Sequence, residues 1–237
     1  MAIVLVTGSS RGIGFGIAQA FAQNGDTVIL NGREDHVQLT KASQELGSVG
    51  FCADVSVYAQ AKKMITEIEE TVGPIEVLVN NAGTAHFSLF SDMAEHEISG
   101  VVANNLIGTM NMSHLVVPAM VRAKAGKIIN ITSIWGLAGA SCEVAYSAAK
   151  AGVVGFTKAL AKELGPSGIN VNAIACGAFD TRMNDRLTME EKSEFTDGIP
   201  IGRFGEPREA GSLAVFLANE NSSYITGQII GLDGGAL

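Results

Sequence analysis

Short apolar runs rich in β-branched residues recur along the chain and predict strands. These runs lack the alternation of apolar and polar residues that is typical of a strand with one face in water. Both of their faces should therefore be buried, as in a parallel sheet that helices cover. The predicted strands are residues 3–6, 28–30, 77–79, 128–131 and 171–175, with 49–53 and 228–232 as weaker candidates.

Longer segments between these runs have the apolar spacing of helices. Alternation of strands and helices along the whole chain predicts an α/β fold, a doubly wound parallel β-sheet with helices on both faces. No linker or repeat interrupts the pattern, so residues 1–237 are predicted to form a single domain. The polar segment 179–205 is either a flap over a site or an ordinary surface excursion. The predicted helices are residues 13–23, 60–71, 98–122, 146–164 and 207–218.

Composition and charge exclude several classes of function. The net charge of −8 argues against nonspecific nucleic-acid binding, which needs a basic face. The longest uninterrupted apolar run has six residues, whereas a membrane-spanning helix needs about 20. The three cysteines lack CxxC spacing and the histidines are scattered, so no disulfide framework and no metal site is expected. Because no signal peptide precedes the first strand, a cytoplasmic protein without a membrane or nucleic-acid partner is expected.

A glycine-rich turn, Thr-Gly-Ser-Ser-Arg-Gly-Ile-Gly at residues 7–14, directly follows the first predicted strand. Gly8 permits a tight turn, Gly12 lets the backbone approach a pyrophosphate, and Gly14 allows the next helix to pack closely on the strand. That helix would present free N–H groups and the positive end of its dipole to phosphates. Three glycines in this strand–turn–helix context predict a dinucleotide site, because a merely tight turn would not need all of them.

The end of the second predicted strand bears on which dinucleotide binds. A site for the ribose 2′-hydroxyl of NAD(H) needs an acidic side chain there. Asn31 and Gly32 occupy that place, and Arg33 follows. Arg33 and Arg11 of the glycine turn would suit a 2′-phosphate, because guanidinium groups make bidentate contacts with phosphates. NADP(H) is therefore favoured over NAD(H). The alternative is that both arginines are ordinary solvated surface residues.

Tyr146 and Lys150 are four residues apart in a predicted helix, so they share one face. A nearby ammonium group favours the ionised form of a phenol and would lower the pKa of Tyr146 towards the range that is useful for acid–base chemistry. Alone, the pair would more simply be a surface contact.

Taken with other spaced motifs, this pair makes the chain resemble the short-chain dehydrogenase/reductase family over essentially its whole length. The motifs are the glycine turn, Asp54 after the third strand, Asn-Asn-Ala-Gly at 80–83, Asn105, Ser133, and Tyr-Ser-Ala-Ala-Lys at 146–150.

The resemblance implies a role for each of four catalytic residues and a homotetrameric assembly. Tyr146 would be the general acid/base, and Lys150 would lower its pKa and bind the nicotinamide ribose. Ser133 would hold the substrate carbonyl, and Asn105 would support a water in a proton relay. Asp54 and Val55 would meet the adenine. The turn and the resemblance together predict as cofactor-binding residues Gly8, Ser10, Arg11, Gly12, Ile13, Gly14, Arg33, Asp54, Val55, Asn81, Ala82, Gly83, Tyr146, Lys150, Gly177 and Thr181.

The chain departs from the family pattern after the sixth strand, where Cys176-Gly177 replaces the usual Pro-Gly. Losing Pro removes a fixed φ angle, so the loop that leads to Thr181 should be less rigid. Cys176 itself is interpreted as a small buried hydrophobic residue rather than a reactive thiol.

The expected function is NADPH-dependent reduction of a ketone to a secondary alcohol, on a small-molecule or carrier-bound substrate. Overall similarity favours a 3-oxoacyl-(acyl-carrier-protein) reductase, for which Arg122, Lys124 and Lys127 are candidate docking residues. The segment 133–146 instead resembles reductases of a 5-aminopentanone modification on elongation factor P, in which Glu143 could sit near an amino group. Reduction of other small carbonyls, or an NADP-binding regulator without turnover, are further alternatives.

Overall fold

The computed structural model describes residues 1–181 and 188–237, and its centre is one parallel sheet of seven strands. The spatial order is β3-β2-β1-β4-β5-β6-β7, and each neighbouring pair is parallel. The chain runs outward from β1 to β3 and then returns to β4 beside β1. The strands are β1 (Ile3–Val6), β2 (Thr27–Gly32), β3 (Val49–Cys52), β4 (Val77–Asn80), β5 (Gly126–Ser133), β6 (Ile169–Cys176) and β7 (Ile229–Leu232).

Helices connect the strands and cover both faces of the sheet. A π-helical turn, Ala103–Ile107, joins the fourth helix to the fifth. The α-helices in the described ranges are α1 (Gly12–Gln23), α2 (His36–Leu46), α3 (Tyr58–Thr71), α4 (Glu95–Val102), α5 (Gly108–Ala123), α6 (Trp135–Ala138), α7 (Val144–Leu164), α8 (Met189–Asp197) and α9 (Pro207–Ala218). None of them is long and apolar enough to cross a bilayer.

Successive residues of the inner strands enter two different apolar clusters, because side chains alternate across a sheet. Val4 and Val6 of β1 pack in the cluster that contains residues of α1 and α9. Leu5, between them, packs in the cluster that contains residues of α3, α5 and α7. Both faces are therefore buried, and the predicted doubly wound parallel α/β fold is confirmed.

All seven predicted strands are present, and none of their ends differs by more than two residues from the prediction. The predicted helix 98–122 is in fact interrupted by the π-helical turn. α2, α6 and α8 were not predicted. The segment 179–205 has paired ends, because Phe179 and Gly205 form a parallel bridge. The prediction of a flap here falls partly on residues 182–187, which lie outside the described part of the chain.

Candidate active site

The candidate site is a cavity of about 1000 Å³ at the carboxyl end of the sheet. It lies where the strand order reverses between β1 and β4, the place where open α/β sheets bind their ligands. Its predicted residues come from widely separated parts of the chain. Those that line it are Gly8, Arg11, Gly12, Ile13, Gly14, Asn81, Gly83, Asn105, Ser133, Tyr146, Lys150, Gly177 and Thr181.

The glycine turn has the geometry that a phosphate cradle needs. Gly8 and Gly12 have φ angles of +62° and +59°, which only glycine adopts at little cost. A side chain on Gly14 would collide with the Gly8 carbonyl, so its packing role agrees with prediction. Among the described residues a Cβ on Gly12 would meet only Thr181, at 3.6 Å, so on their side the turn is open towards the cavity. This open backbone, at the N-terminus of α1, fits a pyrophosphate.

Side chains from neighbouring strands hold the turn in place. The Thr7 hydroxyl accepts hydrogen bonds from the backbone N–H groups of Asn81 and Ala82, both at 3.0 Å. The Asn81 amide donates to the carbonyls of Thr7 and Gly8. From the other side, Asn31 Oδ1 accepts the Gly8 N–H at 3.2 Å. β1, β2 and β4 therefore fix the turn together.

The residues predicted to contact the adenosine end lie on the β2–β3 side. Arg11 approaches Asp35 at 3.7 Å and Arg33 approaches Glu34 at 3.1 Å. All four side chains are exposed, so such pairs contribute little stability and can exchange for a phosphate. The Asp54 carboxylate instead accepts bonds from Ser56. The predicted cofactor residues that do not line the cavity are Ser10, Arg33, Asp54, Val55 and Ala82.

Tyr146 and Lys150 lie in the first two turns of α7. The Lys150 ammonium is 5.6 Å from the centre of the Tyr146 ring and donates to the carbonyl of Ile131 at 2.9 Å. The Thr132 hydroxyl donates to the Lys150 carbonyl, also at 2.9 Å. β5 therefore holds Lys150 by both its side chain and its backbone.

The pKa values of this pair differ from the sequence expectation. Removal from water raises the pKa of Tyr146 above its usual value, the charge of Glu143 raises it further, and a hydrogen bond from Ser133 opposes the change. Burial lowers the pKa of Lys150 to about 8. The expected lowering of the Tyr146 pKa is thus absent, because the loss of hydration destabilises the phenolate more than the neighbouring groups stabilise it.

The Ser133 hydroxyl is oriented as a donor. Its oxygen accepts the backbone N–H of Trp135, at the start of α6, at 3.1 Å. Because that bond uses a lone pair, the hydroxyl proton remains available for Tyr146 or for a carbonyl oxygen in the cavity. The short helix α6 begins two residues after the end of β5. Ser133 is therefore held at the junction of the two elements, on the border of the cavity.

Asn105 lies in the π-helical turn and is fully buried. Its amide nitrogen donates to the carbonyls of Thr84 and Val101, at 2.7 and 2.9 Å. Its Oδ1 has no hydrogen-bond partner within the described residues. A side chain on Gly83 would collide with this oxygen and would lie 3.5 Å from the Lys150 ammonium. The space that Gly83 leaves, between an acceptor and a donor, suits an ordered water.

Several residues at the cavity were not predicted to line it. Glu191, Glu194 and Phe195 come from α8, which was itself not predicted, and Phe87 follows β4. Glu143, flagged from its place in the sequence, is buried and lines the cavity. The described lining thus carries three carboxylates beside the cations Arg11 and Lys150.

Cys176 is buried at the end of β6, as expected for a small hydrophobic residue. Burial raises the pKa of its thiol to about 12, although nearby Lys150 opposes the change. The thiol is therefore protonated at neutral pH and is a poor nucleophile.

The suggested carrier-docking residues lie away from this cavity within the chain. Lys127 lies near the amino end of β5, whereas Ser133 at its carboxyl end borders the cavity. Six residue steps of strand separate them, roughly 20 Å. The Lys127 ammonium also donates to Asn170 at 2.7 Å. Lys124 and Arg122 end α5 at the same distant edge, so these cations do not border the cavity.

Comparison with known proteins gives similarity over nearly the whole chain. A family model described as enoyl-(acyl carrier protein) reductase matches residues 8–236. The chain is 45% identical to a 3-oxoacyl-(acyl-carrier-protein) reductase of Chlamydia muridarum, covering 98% of this chain and 95% of that protein. It is 39% identical to the protein of the same name from Thermotoga maritima, with coverage of 98% and 96%. It is also 39% identical to an uncharacterized oxidoreductase of Bacillus subtilis, with coverage of 98% and 97%.

Proposed function

The chain belongs to the short-chain dehydrogenase/reductase family, and on this basis we propose that it is an NADP(H)-dependent reductase of a ketone, first of all of a 3-oxoacyl group on acyl carrier protein. The observation that carries the proposal is the meeting of Asn105, Ser133, Tyr146 and Lys150 in one cavity with the glycine turn. The family membership makes the protein an oxidoreductase that uses a nicotinamide cofactor. The phosphorylated form of that cofactor and the substrate are part of the proposal.

The proposed residues have complementary tasks. The glycine turn and Lys150 would hold the dinucleotide, whose reduced nicotinamide would supply the hydride for the carbonyl carbon. Ser133, oriented as a donor, stabilises the negative charge that develops on the carbonyl oxygen, and Tyr146 gives that oxygen its proton. A phenol with a raised pKa keeps its proton at neutral pH, which suits an acid in the direction of reduction. Lys150, whose pKa is about 8, can return a proton to Tyr146 from a water beside Asn105.

Arg11 and Arg33 support NADP(H) as the cofactor. Each is exposed and lies beside an exposed carboxylate, and Arg33 also donates to Asn104 Oδ1 at 3.4 Å. Exposed contacts of this kind are weak, so each arginine can turn to a 2′-phosphate at little cost. At the place where a 2′-hydroxyl would need an acid, β2 ends in Asn31 and Gly32.

A second substrate class is supported by the carboxylates of the cavity. Acyl carrier protein is acidic, whereas the described part of the lining includes three carboxylates, those of Glu143, Glu191 and Glu194, beside the cations Arg11 and Lys150. Such a lining favours a carbonyl compound with a protonated amine, for example the 5-aminopentanone modification of elongation factor P. We keep this as the second candidate. The complete set of four catalytic residues argues against a regulator without turnover.

Replacing Tyr146 with Phe tests the reductase function itself. The variant keeps the ring and loses the acidic proton, so we expect turnover to fall by at least about 1,000-fold while NADPH binding stays within about threefold. Stopped-flow NADPH oxidation and fluorescence titration measure the two quantities. A variant that retains a tenth or more of wild-type turnover would rule out this role of Tyr146.

A substrate panel decides between the two candidates. Acetoacetyl thioesters, simple amino-ketones and diketones are compared at equal concentration, with wild type and with Glu143→Gln. If an amine is recognised, the substitution should lower kcat/KM for amino-ketones by about tenfold or more and should leave diketones unchanged. Turnover of thioesters alone, unaffected by the substitution, would reject the second candidate.

The domain organisation, the cellular location and the oligomeric state are also part of the proposal. Residues 1–237 act as a single domain that works in the cytoplasm as a homotetramer. One continuous sheet supports the first assignment.

A further inference from the structure

A chain of buried hydrogen bonds begins at the backbone of Asn105. The Thr109 hydroxyl donates to the Asn105 carbonyl at 3.0 Å, and one turn later the Ser113 hydroxyl donates to the Thr109 carbonyl at 2.8 Å. Ser113 in turn accepts a hydrogen bond from the side-chain amide of Asn80, at 3.0 Å. These bonds join α5, which follows the π-helical turn, to the end of β4.

The same amide starts a second branch in the opposite direction. Asn80 Nδ2 also donates to Asn130 Oδ1 on β5, at 2.9 Å, and these two residues are register partners in the sheet. Asn130 Nδ2 donates to the Thr157 hydroxyl on α7 at 2.9 Å. Thr157 then donates to the Val153 carbonyl at 2.8 Å. In both branches, each hydrogen bond is donated in the direction that leads away from Asn80.

The chain crosses the least hydrated part of the molecule. Its five polar side chains are at most 6% exposed, and several lie among the apolar residues between the sheet and helices α5 and α7. A polar chain in such surroundings is stable only when each donor has an acceptor. Removing the hydroxyl of Ser113 or of Thr157 leaves an amide N–H buried without a partner, which the structure can relieve only by moving.

The elements that the chain connects also carry the proposed catalytic residues. The Asn105 turn leads directly into α5, β5 ends in Ser133, and α7 carries Tyr146 and Lys150. Thr157 is two helical turns beyond Lys150, and Asn130 is next to Ile131, whose carbonyl accepts the Lys150 ammonium. A displacement of α7 relative to α5 would therefore change the gap between Lys150 and Asn105, where the water of the proton path is proposed.

We propose that Thr157 and Ser113, through Asn80 and Asn130, are positioning residues that set the spacing between Asn105 and Lys150. This inference rests on the proposed function. Thr157 is the better probe, because two substitutions test the contributions of its hydroxyl and of its methyl group separately. Thr157→Val removes the hydroxyl at nearly constant volume, and Thr157→Ser keeps the hydroxyl and removes the methyl group.

The first test compares kcat for these variants. Displacements of about 1 Å cost catalysis up to roughly 100-fold, so Thr157→Val should lose 10- to 100-fold in kcat with KM for NADPH unchanged. Thr157→Ser should stay within about threefold of wild type. The matched control is Thr71→Val on α3, since the exposed Thr71 hydroxyl makes the same kind of bond to the carbonyl four residues earlier, at 2.6 Å. Wild-type kcat in Thr157→Val, or equal losses in Val and Ser, would overturn the proposal.

A second readout does not depend on turnover. The titration of the Lys150 ammonium, followed by NMR with labelled lysine, should shift in Thr157→Val and not in Thr157→Ser. Equal titration in both variants and wild type would overturn the positioning role even if no carbonyl substrate is found. Loss of turnover in Tyr146→Phe tests the function separately. If Thr157→Val does not fold, Ser113→Ala breaks the other branch and is subject to the same two measurements.

Discussion

Asn31 and Gly32 are neighbours and both are buried at the end of β2, but the space around a side chain differs between the two positions. Asn31 is 2% exposed, and its amide nitrogen donates to the carbonyls of Phe51 and Ala53. A carboxylate at position 31 would face those carbonyls without hydration, which is costly. A Cβ on Gly32 would make only ordinary contacts with Leu39, at 3.5 Å and beyond. Position 32 is therefore the one that can accept an acid.

We expect Gly32→Asp to change the nucleotide preference. The new carboxylate would accept a ribose 2′-hydroxyl and repel a 2′-phosphate, so the ratio of kcat/KM for NADPH to that for NADH should fall by about 100-fold or more. Initial rates with both nucleotides give the ratio, and wild type should strongly prefer NADPH.

Asn31→Asp is the control for this substitution. It should lower the unfolding temperature and leave the nucleotide ratio near that of wild type, because the side chain points into the sheet. An unchanged ratio in Gly32→Asp would mean that the ribose does not lie beside the end of β2.

At the scale of residues, the residue types and their spacing predicted which residues line the cavity better than they predicted the pKa values of those residues. Gly8, Gly12 and Gly14 were predicted from steric rules, which act locally. The raised pKa of Tyr146 was not predicted, because it depends on burial and on Glu143, whose distances exist only in the fold.

At the scale of elements, strands were predicted well because buried β-branched runs are short and distinctive. α2 was missed because only Leu39 and Ala42 are buried on it, so apolar periodicity is thin. α8 is similarly polar. Both had end signals. Asp35 caps α2 and Gly47 ends it, and Thr188 with Glu191 forms a capping box at the start of α8.

The π-helical turn had no comparable signal. Its residues, Ala103–Ile107, suit an ordinary helix, and the change of register is seen only in the bond from the Gly108 N–H to the carbonyl five residues earlier, Ala103. A tertiary contact of the turn, the bond from the Asn105 amide to the Thr84 carbonyl, helps to compensate for its poorer geometry.

For the whole molecule, exposed apolar side chains on opposite faces favour assembly. Ile107, the last residue of the π-helical turn, and Met110, at the start of α5, are 40% and 41% exposed, and Phe216 is 47% exposed on α9. α5 and α9 cover different faces of the sheet. Two separate self-complementary contacts are what a tetramer with two-fold symmetry axes requires.

Light scattering after size-exclusion chromatography should therefore give about 98 kDa, four times the chain mass of 24.6 kDa. Met110→Glu should lower the mass to that of a dimer, because it places a charge in one of the two contacts. Val37→Glu, at an 82% exposed position on α2, is the control and should leave the mass unchanged. A wild-type mass of one chain would refute the tetramer.

The bridge between Phe179 and Gly205 has a consequence for how such a protein can diversify. The chain leaves the sheet region and returns to it at one point, with the Asp180 N–H bonded to the Gly205 carbonyl. Insertions, deletions and substitutions between these residues can therefore alter what borders the cavity without moving any strand. Although β5 and β6 also contribute lining residues such as Ser133 and Cys176, selection for a new substrate can act on this stretch without opposing selection for a stable sheet.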